Sequence, residues 1–227
     1  MSVDSILKIL YEDNHCLAVF KPAGMLTVGD RTGDISLIDL VKGYVKRKYR
    51  KPGNVYIGVV HRLDRPVSGV VLFARTSKAA ARLSEQFRTG NVCKIYWAWV
   101  QGRPAHRRET LVNFLVKDRA QNLVMAAADD APRAQRAELD YRVLRSDRHH
   151  SLLEIRPRTG RPHQIRVQLA AHGVPIVGDV KYGARPATAG QVALVAAELQ
   201  FKHPVRNELI RVYAPSDARK AMRMGVA

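Results

Sequence analysis

The stretch "VYIGVVHRLDRPVSGVVLFART", Val55 to Thr76, holds one acid, Asp64, between Arg62 and Arg65 in a short loop that joins two runs of β-forming residues. A carboxylate flanked by guanidinium groups has its ionised form favoured, and an ionised carboxylate can attack an electrophilic sugar or base carbon. Taken alone, "LDR" reads first as a turn-capping acid paired with arginines. The rest of the chain decides between the two readings.

Upstream, "ILYEDNHCLAVFKPAG" predicts two short strands around turn residues Glu12 to His15, the second closed by Pro22 and Gly24. "SLIDLVKGYVKRKYRKP" puts Leu37, Val41, Tyr44 and Val45 at helical spacing, with Ser36 as N-cap and Pro52 beyond the end. Downstream, "SKAAARLSEQFRTG" predicts a second helix capped by Ser77, with Leu83 and Phe87 on one face and Gly90 as its stop. In "CKIYWAWVQG" Ile95, Trp97 and Trp99 alternate with Tyr96 and Ala98, the period of a strand. Glu109 to Val116 and Leu139 to Leu144 are further strands, and "KDRAQNLVMAAADDAPRAQRA" between them shows no period and is expected to be a long, partly mobile connection. "SLLEIRPRTGRPHQIRVQLAAHG" reads as strand, turn, helix, with Pro162 in the first helical turn, Ile165 and Leu169 as the apolar stripe and Gly173 at the end. No repeat of fixed length occurs. The expected fold class is α+β: a mixed, mainly antiparallel sheet with flanking helices, in one folded domain over residues 1–227.

Thirty-eight Lys and Arg against twenty Asp and Glu give a net charge of +18. That imbalance calls for a polyanionic partner, nucleic acid first and an anionic membrane surface second. "KRKYRK", Lys46 to Lys51, packs five cations into six positions. A solvated helix C-terminus, where the dipole favours cations, and a contact to phosphates both account for it. The first residues carry no export signal, and no run approaches the ~20 apolar residues of a bilayer span. Cys16 and Cys93 form no C-x-x-C pair and are expected to be buried thiols in a reducing cytoplasm. His149 and His150 are adjacent while His163, His172 and His203 are scattered, so no metal site is expected. Neither a phosphate-binding G-x-x-x-x-G-K-[ST] nor a G-x-S-x-G elbow is present.

The nine residues "HRLDRPVSG", His61 to Gly69, resemble the signature of the RluA-type pseudouridine synthase family. "KPAGMLTV", "CKIYWAWVQG", "TGRPHQIRVQLAAHGVPIVGDVKYG" and "FKHP" resemble its other motifs in the same order, so the likeness runs from about Leu7 to Pro204. It implies the family's catalytic fold with a central RNA-binding cleft, and isomerisation of specific uridines to pseudouridine in structured rRNA or tRNA without metal or cofactor. By position, Asp64 matches the nucleophilic aspartate and Tyr96 the active-site tyrosine that stacks near the uracil. Arg166 matches the basic residue that pairs with the catalytic carboxylate, and Arg62 the arginine that fills the space left by the flipped nucleotide. Further RNA contacts are expected from His61, Arg65, Lys46, Arg47, Lys48, Arg161 and His163.

These roles agree with the chemistry. A uridine in folded RNA must leave the stack before its glycosidic bond can be attacked. An aromatic ring offers a stacking surface, and an arginine fixes and ionises the acid. Two departures bear on substrate choice: Val67 stands where the family usually has Thr, and Val195 where His is common. No S4-like RNA-binding domain is expected ahead of the catalytic one, so recognition falls to that domain, as a monomer. Two other readings stay open. An RNA chaperone or ribosome assembly factor would keep the basic cleft with little or no catalysis. A nucleosidase-like hydrolase would want a second carboxylate as general base, and none pairs evidently with Asp64.

Overall fold

The computed structural model describes residues 7–118, 120–186 and 191–224. The backbone divides into two compact units, Met1–Cys93 with Ala196–Ser216, and Lys94–Val195 with Asp217–Ala227. Secondary structure is mixed α+β, and every strand pair described below with its register is antiparallel.

In the first unit, β1 (Lys8–Glu12) and β2 (Cys16–Lys21) form the expected hairpin. Asp13 shapes its turn by accepting the N–H groups of His15 and Cys16 on one carboxylate oxygen, at 2.8 and 2.7 Å. Helix α1 (Leu37–Lys48) starts where expected: the Ser36 N–H and hydroxyl both donate to Asp39. Its apolar positions Leu37, Ile38, Leu40, Val41 and Val45 are buried. The two-residue strand β3 (Gly58–Val59) and β4 (Ser68–Ala74) flank the Asp64 loop. β4 is buried at every residue after Ser68, which is why "GVVLFA" reads as a continuous apolar run rather than an alternating one. Helix α2 (Ser77–Arg88) is capped by Thr76, whose hydroxyl accepts the Ala79 N–H, and not by Ser77, which is already the first helical residue. Gly90 ends it with a positive φ. β2 pairs with β1 and β4, and β4 with β3 and β10 (Leu194–Lys202), which in turn carries β11 (Leu209–Tyr213).

The second unit orders its strands β5-β9-β8-β6-β7. They are β5 (Cys93–Gln101), β6 (Arg108–Asp118), β7 (Leu123–Ala127), β8 (Gln135–Ser146) and β9 (His150–Pro157). β7 lies in the segment expected to be an irregular connection. It pairs with β6 from Phe114↔Ala127 to Asp118↔Leu123, a local hairpin whose one buried side chain, Val124, was too little to register as a period. Helix α3 (Gln164–Ala171) begins two residues after Pro162, which therefore sits in the preceding turn. Ile165 and Leu169 are buried as expected, but so are Gln164, Arg166 and Gln168: the helix is enclosed all round. Gly173 closes it. A 3-10 turn spans Val180–Tyr182, and α4 covers Ser216–Met224. Among the described residues no helix is long and apolar enough to cross a membrane. Cys16 is buried as expected, whereas Cys93, at the start of β5, is exposed.

Candidate active site

Asp64 is the residue whose setting the first unit is built to hold. The loop residues around it are pinned by the segment that leaves β2, "KPAGMLT". The Thr27 hydroxyl donates to the Leu63 carbonyl at 2.9 Å and lies 3.2 Å from the Leu63 N–H, so both backbone groups just before Asp64 are fixed by one side chain. After Asp64, the Arg65 carbonyl accepts the Gly24 N–H at 2.8 Å, and the Arg65 Nε donates back to the Gly24 carbonyl at 3.0 Å. The Asp64 carbonyl accepts the Val67 N–H at 3.0 Å, closing a tight turn. Val67 is buried, so the position that usually carries a hydroxyl faces packed atoms here. Gly69 ends the signature at φ +132°, where an added Cβ would lie 2.4 Å from the Ala196 carbonyl oxygen, so only glycine lets β4 approach β10 there.

Lys21 is a residue beside the Asp64 loop that sequence reasoning missed. It is wholly buried, and its ammonium gives three hydrogen bonds to the carbonyls of Pro22, Met25 and Arg65, at 3.1, 2.7 and 3.1 Å. Burial lowers its pKa to about 8, against the attraction of the nearby Asp64 carboxylate, which favours the charged form. At neutral pH the buried Lys21 ammonium is therefore still largely charged, and it lies close enough to interact with the Asp64 carboxylate. The signal was present: a lysine at the end of an otherwise apolar strand, followed by Pro, has no reason to be inside unless an anion or carbonyls meet it.

Of the other expected residues in this unit, Arg62 is exposed and makes no side-chain hydrogen bond or ion pair among the described residues. Arg65 is half spent: its guanidinium bridges the Gly24 carbonyl and Asp34, 2.7 Å away. His61 is packed rather than presented. Its Nε2 accepts the Leu72 N–H at 2.9 Å, which puts the proton on Nδ1, and its ring stacks on Phe87 at 4.5 Å. On α1, Lys48 is tied to Glu12 at 2.6 Å beside Tyr44, and Tyr49 donates to the same carboxylate. Lys46 and Arg47, two residues and one residue before Lys48, lie exposed.

The second unit holds the other expected residues. Tyr96 sits half-buried on β5 opposite Ile155. Arg166 projects from α3 and is 5% exposed, with Nε and Nη2 both donating to Asp179 at 2.7 Å, a bidentate pair with a carboxylate that is 1% exposed. Asp179 is the second residue that sequence reasoning missed. The Tyr182 ring lies 4.9 Å from the Arg166 guanidinium, and its hydroxyl meets His163 Nδ1 at 2.6 Å and the Val124 N–H at 3.3 Å. His163 is thus engaged inside the unit, in the left-handed conformation at φ +52° that turns the chain into α3. The turn before it is braced by Gln164, whose side chain bonds the Thr159 hydroxyl, the Arg161 N–H and the Glu138 carbonyl. Arg161 donates its Nε to the Arg136 carbonyl at 3.1 Å. "RTGRPHQIR" is therefore a scaffold that delivers Arg166 in one orientation.

Among the described residues, one group has metal-ligand spacing: Asp13, Cys16 and His203. Its atoms are already engaged. His203 takes the Val205 and Arg206 N–H groups on Nδ1 and donates Nε2–H to Asp13 at 2.8 Å. Asp13 also accepts from Tyr11 and Arg206. Burial works against its charge, but the His15 and Cys16 N–H groups, the Tyr11 hydroxyl and His203 together outweigh it and bring the carboxyl down to about 2, while burial beside that anion pushes the Cys16 thiol up to about 12. The group works as a hydrogen-bonded clasp between the β1–β2 turn and the β10–β11 turn.

Residues 15–171 match the sequence model of the RNA pseudouridylate synthase family, and the chain belongs to that family. It is similar to an uncharacterized RNA pseudouridine synthase, YhcT, of Bacillus subtilis, at 34% identity over 93% of this chain and 69% of that protein. It is also similar to the ribosomal large subunit pseudouridine synthase D of Xanthomonas campestris, at 37% identity over 93% of this chain and 66% of that one. The chain thus spans about two thirds of the length of these relatives. In fold it resembles human RNA pseudouridylate synthase domain containing 4, with a TM-score of 0.79 at 23% identity, over 95% of this chain and 92% of the other.

Proposed function

We propose that the protein isomerises specific uridines of structured RNA to pseudouridine, with Asp64 as the nucleophile. The observation that carries the reading is the setting of Asp64: an acid on a loop fixed through Thr27, Gly24 and Lys21, with a buried ammonium near it and an exposed arginine, Arg62, two residues before it. A turn-capping acid needs none of that support. Ribosomal RNA of the large subunit is the first substrate class to test, because the Xanthomonas relative carries that name.

By its motif Tyr96 is the ring that stacks on the extruded uracil, and Arg62 the side chain that fills the gap the nucleotide leaves. Asp64 assists rupture of the N1–C1′ bond, the freed uracil turns, C5 bonds to C1′, and the C5 proton leaves while N1 gains one. No electrons pass to a carrier and no water is consumed. By its motif Arg166 is the basic residue that pairs with the catalytic carboxylate, and Asp179 and Tyr182 hold its guanidinium in one orientation.

The test is tritium release from RNA labelled at uracil C5, prepared from cells lacking this protein. Wild type should release tritium and Asp64→Asn should fall to background while still binding the RNA, because Asp64 holds its turn through a main-chain carbonyl. Equal release by the mutant would remove Asp64 from the chemistry.

A further inference from the structure

A second concave site lies on α1 and the loop that follows it, away from the Asp64 loop in sequence. Lys42, Gly43 and Lys46 form one wall and Gly53, Asn54 and Val55 the other, enclosing about 410 Å³. Among the described residues that line it none is acidic. Lys42 and Lys46 are one helical turn apart on the same face, both exposed, and neither is held by an ion pair or side-chain hydrogen bond among the described residues. Asp39, the acid nearest Lys42 in sequence, is turned back to the Ser36 hydroxyl at 2.6 Å. A Cβ at Gly43 would lie 3.3 Å from Arg47 Nη1, so a third cation borders the floor of the cleft, and the missing side chain keeps that floor open.

The loop is brought over the helix by an unusual residue. Arg50 takes the left-handed conformation at φ +47°, the position after a helix where glycine is the unstrained choice. Its N–H bonds the Arg47 carbonyl and the Lys51 N–H bonds the Lys46 carbonyl, so the chain doubles back and lays residues 53–55 beside Lys42. Exposed Tyr56 follows at once, and it leaves 51% of its surface in solvent. Cations at a small cleft, with an exposed tyrosine next in the chain, are the elements that hold a phosphodiester and stack an adjoining base.

We infer that the cleft between Lys42, Lys46 and residues 53–55 binds a backbone phosphate of the substrate RNA, with Tyr56 stacking on a neighbouring base. The inference rests on RNA being the substrate, and it assigns Lys42, Gly43 and Tyr56 to a contact separate from the Asp64 loop. Within "KRKYRK" it selects Lys46, which lines the cleft, and leaves out Lys48, which is committed to Glu12.

The experiment measures the dissociation constant of a labelled RNA hairpin over a salt series. Lys42→Ala with Lys46→Ala should weaken binding about tenfold at low salt and flatten the log K against log salt slope by about 1 to 2. Gly43→Asp, which puts a carboxylate on the floor at a helix position that tolerates it, should weaken binding as much. Lys78→Ala, on exposed α2, serves as the control for a change in overall charge. Slopes for the cleft variants indistinguishable from that of Lys78→Ala would overturn the inference, as would loss of binding to phosphatidylserine vesicles with RNA binding unchanged. Because the readout is equilibrium binding, a wild type that releases no tritium would sink the isomerase reading without touching this result. Tritium release with unaltered binding by the variants would sink the cleft alone.

Discussion

Two concave, arginine- or lysine-rich regions make opposite use of their charge. On β6, β8 and β9 a groove of about 510 Å³ is lined by Arg108, Arg142 and Arg156, but also by Glu109, Asp140 and Glu154. There Glu154 takes Arg142 in a bidentate pair at 3.0 and 2.9 Å and Arg156 at 3.1 Å. Arg158 joins Asp140 to Glu138, which also holds Arg136. The lysine cleft on α1 has no such acids. The difference teaches that a net charge of +18 does not locate a polyanion site; pairing does. A strand places an acid directly opposite an arginine on its neighbour, as with Arg142↔Glu154, and so cancels charge within the sheet. On α1 the nearest acid has gone to the helix start, and the charge is left facing solvent.

The comparison is broken most forcefully where pairing is buried. Asp179→Ala takes the bidentate carboxylate from a guanidinium that is 5% exposed, and the expected loss is about 3–5 kcal/mol of stability. Denaturant unfolding checks it, and tritium release should fall even under conditions where the variant is fully folded. A cost below about 1 kcal/mol, the level of an exposed pair, would mean that Arg166 is as well solvated as the surface arginines and that burial does not separate the two kinds of site.

The residues that were legible from sequence and those that were not divide along the same line. Strands β2, β4 and β5, helices α1 and α2 and the Asp64 loop could be read because local period, capping and turn chemistry determine them. The roles of Lys21 and Thr27 could not, because their partners at Leu63 and Arg65 lie about forty residues away, beyond α1. The |i−j| of 36 between Thr27 and Leu63 leaves no local trace. The pairing of Lys48 with Glu12 was hidden for the same reason, and it removes one cation from a run that looked uniform. β7 was missed because a strand at the end of a sheet buries too little to impose alternation. Pro162 lies one step outside α3 because His163, at a positive φ that the sequence pattern does not signal, makes the turn into the helix.

Lys21 sharpens the comparison as a buried cation whose hydrogen bonds to Pro22, Met25 and Arg65 go to carbonyls, with the Asp64 carboxylate nearby. Its pKa in the folded protein, about 8, lies below the ordinary 10.5. Below pH 8 folded and unfolded forms both carry the proton, and the whole burial cost is present. Between pH 8 and 10.5 the unfolded chain binds more protons than the folded one, so stability rises with pH across that window, by on the order of 3 kcal/mol. Lys21→Met should lack this rise. Activity should run the other way: wild type loses tritium release on the alkaline side with a midpoint near pH 8 as the cation near Asp64 disappears, and Lys21→Met, less active throughout, should show no such limb. The same alkaline limb in both proteins would show that Lys21 only packs the loop.

The mildest change tests the comparison from the other side, by turning a paired region into an unpaired one. Glu154→Gln keeps the shape of the side chain while releasing Arg142 and Arg156, which are 47% and 55% exposed. Ion pairs with such exposed arginines contribute little, so the stability loss should be about 1 kcal/mol or less. RNA affinity, in contrast, should increase, and its salt slope should steepen by about 1 to 2 as two guanidinium groups become available to phosphates. Asp130→Asn makes the same change in net charge without freeing an arginine, and it should leave the slope nearly unchanged. If the two variants behave alike, the groove is silent for reasons of shape or position. If only Glu154→Gln gains affinity, internal pairing is what keeps the arginines of the sheet away from RNA and leaves binding to the cations that the fold does not neutralise.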